Sequence, residues 1–162
     1  MIQESMGVVD QISLDVGKGY QDRLGVIGHV KLELFGPDGV LKEVQEIDNT
    51  VTTAGKTDAC AQIAAVPAAA KWGWIAVGTG TPQTTLLGAE IARVAFSSNT
   101  SATNVCTVVA TFAAGTGTGI LTEAGTFNIA TANTVDMWTS ATINITKGAS
   151  DTLTVTWTLT YN

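Results

Sequence analysis

Charge is scarce in this chain: only 14% of its 162 residues are Asp, Glu, Lys or Arg, about half the share found in ordinary soluble proteins. With 45% apolar residues beside them, a free monomer has too little polar side chain to cover itself, which points towards assembly. Lys and Arg number eight against fourteen acids, for a net charge of −6. Nucleic-acid binding draws its strength from cations that neutralise phosphates, so no nucleic-acid partner is expected. Long apolar runs are also missing. Ile63 to Ala70 is Ala-rich and interrupted by Pro67, well short of the roughly 20 residues a bilayer requires, so no membrane partner is expected either. Met1-Ile2-Gln3-Glu4-Ser5 offers neither the basic lead nor the apolar stretch of a secretion signal, which places synthesis and folding in a cytosol.

Cysteine is nearly absent. Cys60 and Cys106 lie far apart and form neither a CxxC nor a zinc spacing. In a reducing cytosol they read as two small buried apolar side chains, with a late disulfide in a released particle as the alternative and a reactive thiol as a third. His29 is the single histidine, and the sequence associates no nucleophile and acid with it; a structural or surface role is expected. Isolated acids such as Asp58, Asp136 and Asp151 lack the density of a calcium loop. No metal, cofactor or catalytic residue is therefore assigned.

What the chain does have is threonine, glycine and alternation. Residues 1–25 are weakly patterned, punctuated by Gly7, Gly17, Gly19 and Gly25, and read as an extended arm. Residues 26–162 form the folded domain. Val30, Leu32 and Leu34 alternate with Lys31 and Glu33, and Gly36-Pro37-Asp38-Gly39 turns the chain into a second strand through Ile47. Thr52 or Thr53 caps a short helix near residues 54–66, with Ala59, Ile63 and Val66 on one face and Pro67 as its stop. Strands follow over Trp72–Val77, Val94–Phe96, Val105–Phe112, Ile120–Ile129 and Met137–Ile145. The clearest alternation comes last: Leu153, Val155, Trp157, Leu159 and Tyr161 point one way, and Thr154, Thr156, Thr158 and Thr160 the other. Strands at this spacing, joined by Gly and Thr turns, predict a mostly β fold, an antiparallel two-sheet sandwich of jelly-roll type with one short helix.

Gly78-Thr79-Gly80 and Gly115-Thr116-Gly117-Thr118-Gly119 lack the GK[ST] of a phosphate loop and read as turns. Glu90 and Glu123 have no spacing that forbids a glycosidase pair, since remote carboxylates can meet across a cleft, but the favoured reading is structural. Trp72, Trp74, Trp138 and Trp157 read as core, with a sugar-stacking platform as the alternative.

Four segments in order resemble structural proteins of tailed-phage virions. They are Asn49–Lys56, then Ile75–Pro82 with Leu86–Arg93, then Ala110–Phe112 with Leu121–Asn128, and finally Ile145–Trp157. Thr50 and Thr126 stand where such proteins commonly carry an aliphatic residue. The resemblance implies a non-enzymatic virion part made in a bacterial cytoplasm. It is either a capsid decoration (cement) protein that stabilises a phage head or a tail, neck or fibre subunit. It further implies partners of two kinds: copies of the same chain, a trimer being favoured, and the major capsid protein or another virion protein. Glu90 and Arg93, at i and i+3, are expected to pair on a helical turn, with Glu123 sharing the guanidinium as a structural brace.

Overall fold

The computed structural model describes residues 25–64 and 71–162. Nearly all of the expected arm, and Pro67, lie outside the described residues.

The chain is mostly β. Among the described residues its strands are β1 (Val26–Phe35), β2 (Leu41–Val51), β3 (Trp74–Gly78), β4 (Glu90–Ala95), β5 (Ser98–Ala102), β6 (Val105–Phe112), β7 (Gly119–Phe127), β8 (Met137–Lys147) and β9 (Thr152–Tyr161), with one helix, α1 (Thr53–Ile63), after β2. All pairings are antiparallel. The order is β4-β3-β7-β8-β2-β1-β9-β6-β5, a single nine-stranded sheet curled into a half-barrel. Where two separate sheets were expected, one hydrogen-bonded series runs throughout, because β2 changes partner along its length. Residues up to Asn49 pair with β1, and only Thr50 and Val51 pair with β8, opposite Ser140 and Thr139. The sheet thus has two limbs, five strands from β2 to β5 and four from β8 to β4.

Alternation decides which side chains fill the space between the limbs. Val30, Leu32 and Leu34 meet Leu153, Val155, Trp157 and Leu159 from β9, and Ile75, Val77, Leu121, Ile143 and Ile145 from the other limb. The threonines of β9 stay on the outer face, half-buried. A smaller apolar cluster, Ala76, Leu87, Phe127 and Met137 with Trp74 packed against it, lies on the opposite face of β3 and β7. The two faces of β3 differ from the usual wet-and-dry pair because the loop after it folds back as a cover.

Helix α1 departs from its sequence reading. Thr52 is its cap, accepting a hydrogen bond from Gly55 N, but the helix ends at Ile63, which is 77% exposed. Of the expected apolar face, Ala59 is half-buried and Ile63 exposed, and Val66 lies outside the described residues. Gly55 is the buried helical residue, and a Cβ there would lie 2.3 Å from the Trp138 carbonyl oxygen, so the helix docks by its first turn. Asp58 adds a tie by accepting from Trp138 Nε1 at 2.6 Å and from Asn128 Nδ2 at 3.2 Å. The polar strand β5 was not foreseen, since Ser98-Asn99-Thr100-Ser101-Ala102 carries no strand signal and forms by pairing with β6.

Candidate functional site

The site builds up around the loop between β3 and β4. A β-bulge makes it possible: Val77 pairs with Ala92 and Gly78 with Glu90, so Ile91 is an extra residue on β4. In a regular strand, positions i and i+3 face opposite sides. The extra residue returns Glu90 to the side of Arg93. There they form a bidentate ion pair, Arg93 Nε donating to Glu90 Oε1 at 2.8 Å and Arg93 Nη2 to Oε2 at 2.7 Å, with side chains 2% and 1% exposed. The pairing thus occurs on a strand, where a helical turn was expected. Arg93 also donates to the Ile129 carbonyl at 2.9 Å, and its guanidinium carbon sits 3.7 Å from the Phe127 ring centroid. Asn133 N donates to Glu90 Oε2 at 3.0 Å. Together these contacts hold the β7–β8 loop.

Glu123 takes a different place from the one expected. Fully buried, it accepts from Gly80 N at 3.0 Å and Ala89 N at 2.7 Å on Oε1, and from Gly88 N at 2.8 Å on Oε2. Its hydrogen bonds thus go to the backbone of the β3–β4 loop and not to the Arg93 guanidinium. A carboxylate satisfied by amide donors can be buried without a cation. The loop then lies flat, with Leu87 plugged into the small apolar cluster and Thr122 Oγ1 donating to the Gly80 carbonyl at 2.6 Å. The glycines of Gly78-Thr79-Gly80 serve this close approach, because a Cβ on Gly78 would stand 2.3 Å from Glu123 Oε1.

A second set of buried charges, unassigned from sequence, closes the far end of the half-barrel. Lys147, 1% exposed, donates to the Ala113 and Asp151 carbonyls at 3.0 and 2.6 Å. Burial pushes its ammonium below the ordinary value of 10.5. Asp151 accepts from Lys42 Nζ at 3.1 and 3.0 Å and from Gly148 N at 2.9 Å, and these bonds, the Lys42 one foremost, hold its carboxyl below the ordinary 3.8. Lys42 is itself a bulge residue, since Leu34 pairs with Glu43 and Phe35 with Leu41. The available signal was Lys147-Gly148-x-x-Asp151, a turn in which a lysine and an acid flank a glycine.

The remaining sequence candidates are dispersed. His29 is exposed on β1, its Nδ1 3.4 Å from Asp48 Oδ1. Cys60 is exposed on α1, contrary to the buried reading, and Cys106 is half-buried; both are free. Trp157 is fully buried and Trp138 is 8% exposed, and Trp72 stacks on Trp138 with centroids 5.8 Å apart and meets Phe96 edge-on at 5.6 Å. An open cleft of about 480 Å³ runs between the start of α1 and the β3–β4 loop; Thr50, Thr53, Pro82, Gln83, Thr85 and Ser140 line it, and none of its lining side chains titrates. Among the described residues, no group of three His, Cys, Asp or Glu side chains is placed to hold a metal ion, and no helix is long and apolar enough to cross a membrane.

No family model matches the chain, and neither the curated proteins nor the solved structures provide a match.

Proposed function

We propose that the protein is a non-enzymatic structural subunit of a tailed-phage virion, a capsid decoration (cement) protein that self-associates, as a trimer, and binds the major capsid protein. The observation that carries this reading is the use made of buried charge. Glu90, Arg93, Glu123, Lys147 and Asp151 each hold a loop or turn in place. Glu90 and Glu123, the pair that glycoside chemistry would need, are saturated by N–H donors and point into loops. Such a molecule presents a fixed shape. On this reading the two limbs work as the walls of a sandwich. The outer face of the five-stranded limb, with Thr154, Thr156 and Thr158 half-buried on β9 and Thr107 and Val109 beside them on β6, is the contact surface. Along β9 and β6 it carries no charged side chain, so docking centred there desolvates few ions, whereas His29, Lys31 and Glu33 line the same face on β1.

The test is to mix purified chain with expanded phage heads that lack it and sediment them. Saturable binding in proportion to the number of capsomers is the expected result. A copy number matching a tail, neck or fibre would move the protein to that part of the particle. Hydrolysis of host polysaccharide or peptidoglycan by the purified protein would overturn the non-enzymatic reading.

A further inference from the structure

His29, the single histidine, stands on the outer face of the five-stranded limb. On β1 it pairs with Thr158 of β9 on one side and with Asp48 of β2 on the other, and Lys31 pairs in the same way with Thr156 and Glu46. Cross-strand partners share a face, so the acids of β2 and the uncharged threonines of β9 flank the ring. Its Nδ1 lies 3.4 Å from Asp48 Oδ1 and its Nε2 3.9 Å from Glu46 Oε2. Each ring nitrogen thus faces a carboxylate. Neutral imidazole has one N–H, so one of the carboxylates then faces a lone pair; imidazolium, with an N–H on both sides, suits both. The neighbouring cation, Lys31, is held by Glu33 at 2.7 Å. In the free chain the ring and its two acids are half-exposed or exposed, and water screens the arrangement.

We propose that His29 makes self-association pH-dependent, a contact between copies across this face taking up a proton at the ring and tightening as pH falls from about 8 to about 6. The inference rests on the self-associating reading above and names what regulates that same surface. Docking takes water away from the edge of the face, and interactions between charges strengthen as the local dielectric falls. The carboxylate that faces a lone pair is then more costly to cover, and the one that faces an N–H is better held. Charge balance acts in the same direction. With the ring neutral, His29, Lys31, Glu33, Glu46 and Asp48 bring one cation and three carboxylates to the face of each copy, and a chain of net charge −6 repels its own copies. A proton on each ring lowers both costs. Histidine is the side chain that changes charge in this window, in which carboxylates stay ionised. By linkage, a proton taken up on contact raises affinity as pH falls, by at most about tenfold per pH unit for each proton.

Sedimentation velocity of the full-length chain over a concentration series, at about pH 6, 7 and 8 and constant ionic strength, reads the effect. The expected result is a dissociation constant about threefold to tenfold lower at the acid end, a slope lost in His29→Gln and in the double variant Glu46→Gln with Asp48→Asn. Urea midpoints at neutral pH check that each variant is folded. Association that ignores pH, or weakens as pH falls, would overturn the proposal and leave self-association standing, as would a slope that survives in His29→Gln. A slope lost in His29→Gln but kept in the double variant would overturn the role of the two carboxylates. A monomer at every pH and concentration would overturn both the proposal and the reading beneath it.

Discussion

Gly78 and Glu123 constrain each other. A methyl group on Gly78 would lie 2.3 Å from Glu123 Oε1 and 2.5 Å from the Ala89 carbonyl oxygen, so Gly78→Ala forces a packed loop apart and is expected to cost about 1–3 kcal/mol. Glu123→Gln keeps the shape but turns a donor towards amide donors, at a similar cost of about 1–3 kcal/mol. Urea midpoints of the two variants check both, and a midpoint unchanged from the parent would show that the loop is not held by this carboxylate. Asp151 gives a pH signature. Its folded pKa lies below the ordinary 3.8, so its contribution is present above that value and lost as pH falls through the folded one. Lys42→Met removes the leading cause of the shift, and its stability should fall less steeply than that of the parent from about pH 5 to about pH 2. Parallel slopes would rule the Lys42 contact out as the cause. Lys147 acts in the alkaline range with a slope of the same sign. Its folded pKa is below 10.5, the unfolded chain holds the proton more tightly, and the cost of its burial fades as pH rises towards 10.5.

Elements here are fixed at their ends more than along their faces. Thr52 both accepts from Gly55 N and donates from Oγ1 to the backbone of β8, so it joins helix and sheet through one hydroxyl. Thr52→Ala is expected to lower stability by about 1–2 kcal/mol, with Thr52→Ser recovering most of it. Ile63→Lys, at the exposed end of the same helix, should stay within about 0.5 kcal/mol of the parent. Chemical denaturation separates these outcomes, and a large loss for Ile63→Lys would restore the apolar face as the anchor of α1. The bulges at Ile91 and Lys42 act in the same local way. Each inserts one residue, changes which side the next charge faces, and so delivers Glu90 to Arg93 and Lys42 to Asp151.

For the molecule as a whole, the two limbs are covered unequally. The outer face of β3 and β7 lies beneath the β3–β4 loop, with Leu87 buried against it, whereas the threonine face of β9 and β6 stays half-exposed. If that face mediates self-association, Thr156→Arg should weaken it, because a charge would have to be buried on contact, while leaving the unfolding midpoint of the isolated chain within about 0.5 kcal/mol. Sedimentation velocity over a concentration series reads the first effect and urea denaturation the second. Unchanged association would move the contact surface elsewhere.

The sequence by itself determined the strands whose two faces differ. On β1 and β9 the buried positions are those that strict alternation picks out, because a one-residue slip would put every Leu and Val of those strands in water. Hairpin turns at Gly36–Gly39 and around Gly115–Gly119 were equally legible, with Gly39, Gly115, Gly117 and Gly119 all at positive φ, a conformation that costs other residues more. The helix was legible at its start, where the cap is local, and not at its end, where docking through Gly55 depends on Trp138, remote in the chain. The Glu90–Arg93 pair was visible as a spacing, but the bulge that brings the two together was not. Only the tertiary structure decided that Glu123 serves loop amides, that Lys147 and Asp151 lock the far end, and that the limbs join through Thr50 and Val51. Alternation fixes which face of a strand is buried, but which strand lies beside it depends on contacts between residues far apart in the chain, and those are settled only when the whole sheet closes on its core.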